Sequence, residues 1–98
     1  MEKTCRLIVL ISYSLEFDFG WNEYYAALDN SIKERAKKQL RKLKEGLDGR
    51  HLKHGLDYFV LEFGQHRICY KTFAERKVKR VYFVGDHKEY EKWLGLMR

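Results

Sequence analysis

Residues 57–73, DYFVLEFGQHRICYKTF, decide the fold, because polar and apolar side chains alternate on both sides of a short turn. Alternation with a period of two is typical of β-strands, and Gly64-Gln65 suits a two-residue hairpin turn. Pairing across this turn places Glu62 opposite Arg67 on one face. On the other face it predicts pairs that are largely apolar: Phe63 with His66, Leu61 with Ile68, and Phe59 with Tyr70.

The chain after this hairpin predicts one more strand and a helix. A turn at residues 74–77 leads into a third strand at 78–84, whose Val81 and Phe83 are expected to join the apolar face. The D-x-x-E pattern that begins at Asp86 is typical of a helix start. The apolar residues that follow have helical spacing and predict a short C-terminal helix: Tyr90, Trp93, Leu94 and Met97.

The chain before the hairpin predicts a strand and two helices. Residues 4–17 are rich in β-branched and aromatic types, as strands are. A short helix is expected at about 22–29, and a longer one from the capping-box pattern Ser31-x-x-Glu34 until just before Gly46. The predicted fold class is therefore α+β: a small antiparallel sheet in the order β-α-α-β-β-β-α, with the helical hairpin packed on one face. We expect helices on this face only, and the opposite face to be mixed, basic and aromatic, and partly open.

Composition excludes several classes of protein. The 98 residues suffice for one domain, and an apolar content of 45% is too high for a disordered tail. Cys5 and Cys69 are too few for a disulfide scaffold, and no Cys/His pattern has zinc-site spacing, so we expect no metal or other cofactor. The longest apolar run, residues 7–11, is too short to span a membrane. We therefore expect a cytoplasmic protein.

The net charge of +6 is concentrated in one segment. Residues 31–56 carry nine basic and three acidic residues, and the basic ones on the predicted long helix fall largely outside its apolar stripe. A basic helix face is typical of proteins that bind polyanions, although a solvated face or a surface for an acidic protein has the same pattern. Nucleic acid and an acidic protein both remain candidate partners at this point.

Several histidines and cations are candidates for chemistry or for binding a polyanion. His can transfer protons near neutral pH, and Arg or Lys can stabilise the negative charge of a phosphate. His87 lies where the last strand meets a helix N-terminus, a position that favours phosphate. His54 is a second candidate, in a basic loop with Arg50 and Lys53. Further candidate phosphate-binding cations lie on the polar face of the sheet: Lys71 and Arg80.

Three segments together resemble a known family. They are LRKLKEG at residues 40–46, LEFGQHRICY at 61–70 and VGDHKEY at 84–90. In order and spacing they resemble the RelE/ParE toxins of bacterial and archaeal toxin–antitoxin systems, and among these the RelE, HigB and YafQ members most.

The resemblance implies a metal-independent endoribonuclease that enters the ribosomal A site, cuts mRNA and pairs with a cognate antitoxin. Arg67 occupies the family's hairpin arginine position, where it would neutralise the scissile phosphate. His87 occupies the Arg or His position after the last strand, and Lys88 follows it as the family's lysine does. Together with the basic loop and the sheet cations, this gives the predicted site. The predicted catalytic residues are His87, Arg67 and His54. The predicted RNA-binding residues are Arg50, Lys53, Lys71, Arg80 and Lys88.

Two positions depart from the family pattern and leave other functions open. Many RelE-like members carry basic residues where this chain has Val60 and Glu62. Glu62 faces Arg67 across the hairpin, so Arg67 is either a phosphate ligand or the partner of Glu62. The alternatives are a ParE-like inhibitor of DNA gyrase without nuclease activity, and a catalytically decayed module that only binds its antitoxin or nucleic acid.

Overall fold

The computed structural model describes residues 12–52 and 57–97, which form a five-stranded sheet and three helices. The elements follow in chain order: β1 (Ser14–Phe17), α1 (Trp21–Ala26), α2 (Asn30–Lys44), β2 (Arg50–His51), β3 (Phe59–Phe63), β4 (His66–Phe73), β5 (Val78–Asp86) and α3 (His87–Met97). Residues 4–11 of the first predicted strand lie outside the described residues, as do Lys53 and His54. No helix in the described ranges is long and apolar enough to cross a membrane.

The sheet has the strand order β1-β5-β4-β3-β2. The β3–β4 register is the predicted one, with Glu62 opposite Arg67 and Gly64 in the left-handed region (φ 60°) at the turn. The α+β class is confirmed, with two corrections: β1 pairs in parallel with β5, and the short strand β2 is added. Alternation indicates which face a side chain occupies but not the direction in which a strand pairs, and two residues are too few to alternate.

The helical hairpin α1–α2 packs on one face of the sheet, as predicted. Trp21 of α1 is buried there together with Ala36 and Leu43 of α2. Removing apolar surface from water stabilises such a layer by about 25 cal/mol per Å². The buried strand residues of this cluster are Phe63, Ile68, Tyr70, Val81 and Val84, and all of them except Val84 belong to the predicted apolar face.

Helix α3 packs on the opposite face, which the sequence predicts to be mixed and partly open. Its residues Tyr90, Trp93 and Leu94 are buried in a second cluster. The predicted apolar stripe of this helix is therefore confirmed, but the expectation that helices cover only one face is wrong. The sheet residues of the second cluster come from three strands or their ends: Tyr58, Val60, Cys69 and Phe83.

The position of Phe83 corrects the predicted alternation of β5. Cys69 pairs with Phe83, but the next residue of β4, Tyr70, pairs with Val81. Tyr82 is thus an extra residue at a β-bulge, which reverses the alternation beyond it. Phe83 consequently packs with Tyr90 and Trp93 of α3, and its ring also contacts that of Tyr24 of α1 at 4.9 Å between ring centres.

Helix α2 begins two residues earlier than the capping-box pattern indicates. Its N-cap is Asp29, whose Oδ1 accepts hydrogen bonds from the backbone N–H of Ile32 at 3.0 Å and from the hydroxyl of Ser31 at 2.9 Å. The predicted Ser31 cap is therefore wrong. A carboxylate accepts both bonds and also suits the positive end of the helix dipole.

Asp29→Ala should lower the thermal midpoint at pH 7 more than Ser31→Ala does, because it removes the acceptor itself. The backbone bond from Ile32, followed by the bond from Ser31, lowers the pKa of Asp29. A lowered pKa in the folded state means that this stabilisation is present above the unfolded-state value of about 3.9 and is lost as the pH falls through the folded-state pKa. Circular dichroism melts should therefore show the Tm difference from wild type shrinking as the pH is lowered below about 4. A difference that does not change with pH would contradict the cap.

A buried lysine holds the segment that leads from α2 into β2. Lys79 of β5 is fully buried, and its ammonium donates to the carbonyl of Leu47 at 2.8 Å and pairs with Asp48 at 3.2 Å. Beside it, the backbone N–H of Gly49 donates to the hydroxyl of Tyr70 at 2.6 Å. Buried polar groups need such partners, so these contacts fix the backbone directly before β2.

Candidate functional site

Arg67 is the centre of the candidate site, because three side chains contact its guanidinium. Its Nε donates to Oε2 of Glu62 at 3.2 Å, and its Nη1 lies 2.5 Å from Nδ1 of His87. Its guanidinium carbon lies 4.8 Å from the centre of the Tyr90 ring, a cation–π contact. The Arg67 side chain is 22% exposed, so it is held from several sides and still reaches solvent.

Glu62 brings a second arginine to the site. The same oxygen that accepts from Arg67 also accepts from Nη2 of Arg50 at 2.9 Å. The register of β2 places Arg50 opposite Val60, so its side chain extends along β3 to reach Glu62. Two guanidinium groups therefore converge on one carboxylate oxygen.

His87 is the first residue of α3, and a capping box fixes the start of this helix. Oδ1 of Asp86 accepts from the N–H of Glu89, and Oε1 of Glu89 accepts from the N–H of Asp86, both at 2.9 Å. The predicted D-x-x-E helix start is thus confirmed. Because a guanidinium only donates, Nδ1 of His87 accepts from Arg67, and the neutral ring carries its proton on Nε2. That Nε2 lies 3.9 Å from Oε2 of Glu91.

Burial keeps two further groups on this side of the sheet uncharged. It raises the pKa of the Cys69 thiol and that of the Tyr90 phenol. A neutral buried thiol is a poor nucleophile, and a neutral phenol is not a base at physiological pH. Imidazole is the side chain suited to exchanging a proton near neutrality, so His87 is the candidate for proton transfer beside Arg67.

The structure brings together two of the three predicted catalytic residues, Arg67 and His87. The third, His54, lies outside the described residues. Of the predicted RNA-binding residues, Arg50 joins the site through Glu62, and Lys88 follows His87 on the exposed first turn of α3. Lys53 also lies outside the described residues.

The other two predicted RNA-binding residues lie further along the sheet. Lys71 lies on β4, four residues after Arg67, and it pairs with Arg80 of β5 in the β4–β5 register. The Lys71 ammonium lies 4.7 Å from the centre of the Tyr58 ring. The Arg80 guanidinium pairs with two carboxylates, Asp18 at 3.1 Å and Glu16 at 3.4 Å.

Sequence reasoning misses two features of the site. It treats Arg50 as part of a loop, and β2 is too short for any alternation that would indicate contact with Glu62. It treats Tyr90 only as a core residue, although the ring also supports Arg67. The second feature had a signal, because Tyr90 lies three residues after His87 and therefore on the same side of the helix.

Within the described residues, no group of three or more His, Cys, Asp and Glu side chains is arranged to hold a metal ion. No protein-family model matches the chain, and no curated protein matches it in sequence.

Solved structures similar to this chain are RelE toxins and their complexes. The RelBE2 toxin–antitoxin complex of Mycobacterium tuberculosis matches with a TM-score of 0.71 at 19% identity, covering 78% of this chain and 99% of the matched one. The isolated RelE toxin of E. coli matches with a TM-score of 0.67 at 21% identity, covering 89% and 100%. The chain has the RelE fold. The intact E. coli RelBE complex agrees, with a TM-score of 0.65 at 25% identity, covering 76% and 96%.

The resemblance to the RelE/ParE superfamily that three segments indicate is thus confirmed in the fold. In this RelE fold, Arg67 and His87 meet although they stand on different elements and 20 residues apart in the chain. The contact is possible because β4 and β5 are neighbours and His87 directly follows the end of β5.

Proposed function

We propose that the chain is the toxin of a type II toxin–antitoxin pair and that it inhibits translation by cutting mRNA on the ribosome. The observation that carries the proposal is the contact between Arg67 and His87, which joins a phosphate-binding cation to a proton-transfer group. The RelE fold supports the assignment as a toxin. We place its action in the cytoplasm, as a single domain without a metal or other cofactor.

In the proposed reaction, Arg67 binds the scissile phosphodiester and stabilises the charge that develops on it. When Arg67 turns to the phosphate, Nδ1 of His87 is free to take the proton of the 2′-hydroxyl. A bond forms between the 2′-oxygen and phosphorus, the bond from phosphorus to the 5′-oxygen breaks, and that oxygen takes a proton from water. Arg50, which shares the Glu62 carboxylate with Arg67, suits a contact with the same phosphate, and the exposed Lys88 suits a contact with a neighbouring one.

We further propose that the cognate antitoxin binds the basic face of α2. A partner segment rich in acidic residues would match this face in charge, which favours fast and specific association. The solved RelBE complexes, in which a RelE toxin is bound to its antitoxin, support an antitoxin as the partner. The basic residues of the face are exposed: Lys37, Lys38, Arg41, Lys42 and Lys44.

His87→Ala should lower the rate of mRNA cleavage by about 10²-fold, because it removes the proton acceptor. Cleavage is mapped by primer extension after induced expression, in parallel with growth. His51→Ala is the matched control, since His51 is also an exposed histidine beside a carboxylate, 3.3 Å from Asp57.

Unchanged cleavage by His87→Ala would contradict the role of His87. Wild-type growth arrest without mRNA cleavage would contradict the nuclease. Growth arrest that is not relieved by co-expressing the reading frame next to the gene of this protein would contradict the antitoxin pairing.

Glu62 favours a second candidate function, a RelE-fold protein that binds a protein target and cuts nothing. Its carboxylate lies 3.2 Å from Arg67 and partly neutralises the positive charge that the nuclease needs there. A ParE-like inhibitor of DNA gyrase is one such protein, and a module that only binds its antitoxin is another. If growth arrest survives both His87→Ala and Arg67→Ala and purified gyrase loses supercoiling activity, the gyrase inhibitor replaces the nuclease.

A further inference from the structure

We propose that Glu62 is an internal anion that occupies a phosphate site formed by Arg50 and Arg67, and that an RNA phosphodiester displaces it. This inference rests on the proposed function, which supplies the ligand, and it adds that the site is held closed by a carboxylate in the absence of RNA. The affinity for RNA is accordingly set by a competition between two anions for the same pair of cations.

The geometry of Glu62 carries the proposal. Arg50 and Arg67 donate to the same atom, Oε2, at 2.9 and 3.2 Å. The two arginines stand on β2 and β4, one on each side of β3, so their guanidinium groups approach from opposite directions. A phosphate oxygen prefers this environment, because guanidinium N–H groups match its geometry and charge. The position of Oε2 therefore marks a place where one phosphate oxygen can be bound by both arginines.

The contacts of Glu62 are of a kind that a phosphate can replace. The Glu62 side chain is 49% exposed and that of Arg50 is 66% exposed, and ion pairs at such exposure contribute little to stability. Arg67 does not depend on Glu62 alone for its position, because the Tyr90 ring also contacts its guanidinium. When the Glu62 side chain moves away, Arg67 therefore stays in place for the incoming phosphate.

The displacement has a consequence for the proton-transfer group. Arg67 is a partner of both Glu62 and His87, so a phosphate that takes the place of Glu62 lies on the Nδ1 side of the imidazole. Binding and proton transfer are then served by one cluster of side chains. In the protein without bound RNA, the carboxylate of Glu62 is the negative charge that compensates the two arginines of this cluster.

The test measures the Kd of a short single-stranded 2′-O-methyl RNA, which cannot be cleaved, by fluorescence anisotropy at one fixed salt concentration. Glu62→Gln should bind this RNA about three- to tenfold more tightly than wild type, because the amide no longer competes as an anion. Glu34→Gln is the matched control for net charge, since Glu34 is an exposed carboxylate that pairs with Lys37 at 3.3 Å on α2. It should change Kd by less than about twofold.

A second arm places Glu62→Gln in the Arg50→Ala background. The gain should then be smaller than in the wild-type background, because Glu62 competes there for Arg67 alone. Glu62→Ser is measured in parallel, and circular dichroism establishes that each variant is folded. Equal Kd values for Glu62→Gln and Glu34→Gln would overturn the proposal, as would a full gain in the Arg50→Ala background.

These experiments distinguish a failure of the internal-anion proposal from a failure of the proposed nuclease function. Tighter RNA binding by Glu62→Gln without any mRNA cleavage by the wild type keeps the phosphate site and rejects the nuclease. Cleavage of mRNA by the wild type, with no gain in RNA binding by Glu62→Gln, keeps the nuclease and rejects the internal anion.

Discussion

Arg67→Ala is expected to reduce the rate of mRNA cleavage by about 10³-fold. The substitution removes the cation that would stabilise the reacting phosphate. It also removes the donor that sets the tautomer of His87 through Nδ1, and it leaves Glu62 paired with Arg50 alone. Because one residue serves phosphate binding and the orientation of the imidazole, its loss should exceed that of His87→Ala.

Arg67→Lys separates the charge of this residue from its geometry. An ammonium keeps the positive charge but lacks the planar fork that contacts Glu62, His87 and the Tyr90 ring together. We expect an intermediate loss of about 10²-fold. Rates are compared on one message in a reconstituted translation system, with the thermal midpoint of each variant measured beside them.

Arg76→Ala is the matched control for this prediction. Arg76 lies over the Phe73 ring at 5.0 Å and 3.8 Å from a carboxylate oxygen of Glu16, so it makes the same kinds of contact outside the site. It should cleave mRNA at the wild-type rate. If Arg67→Ala is folded and also cleaves at the wild-type rate, Arg67 does not take part in the reaction.

The sequence predicts the local structure around Arg67 well and its tertiary neighbours less well. The β3–β4 hairpin is predicted residue by residue, because its alternation and two-residue turn leave one register that buries a face. The bulge at Tyr82 is not predicted, since an extra residue in β5 has no signature in composition or alternation. That one residue is what turns Phe83 toward α3.

In the candidate site, too, local neighbours are predicted better than tertiary ones. Glu62 and Arg67 are predicted as a cross-strand pair because both lie in one hairpin, and the family resemblance adds His87. Arg50 is not predicted as their neighbour, because its place depends on the Lys79 and Tyr70 contacts that hold the preceding backbone. Interactions between distant segments of chain that involve single buried polar groups leave no periodic pattern for a sequence to reveal.

Gly49→Ala is expected to lower the free energy of unfolding by about 3 kcal/mol, which would make it one of the more damaging small substitutions in the chain. A Cβ on Gly49 would lie 2.2 Å from the carbonyl oxygen of Val60 and 2.7 Å from its carbonyl carbon. These are backbone atoms inside the sheet, which cannot move aside as the tip of a side chain can. β2 would have to separate from β3, and Arg50 would move away from Glu62 with it.

Gly95→Ala is the matched control, and its effect should have the opposite sign. Gly95 is exposed in α3, and an added Cβ would meet no atom of another element within 4 Å. Alanine is favoured over glycine in a helix by about 1 kcal/mol, so Gly95→Ala should be slightly more stable than wild type in urea unfolding. Where Gly49→Ala is still folded, it should also bind RNA as weakly as Arg50→Ala, because both remove the same guanidinium from the site. Wild-type stability in Gly49→Ala would mean that β2 is not held against β3, and that Arg50 reaches Glu62 without the support of Lys79 and Tyr70.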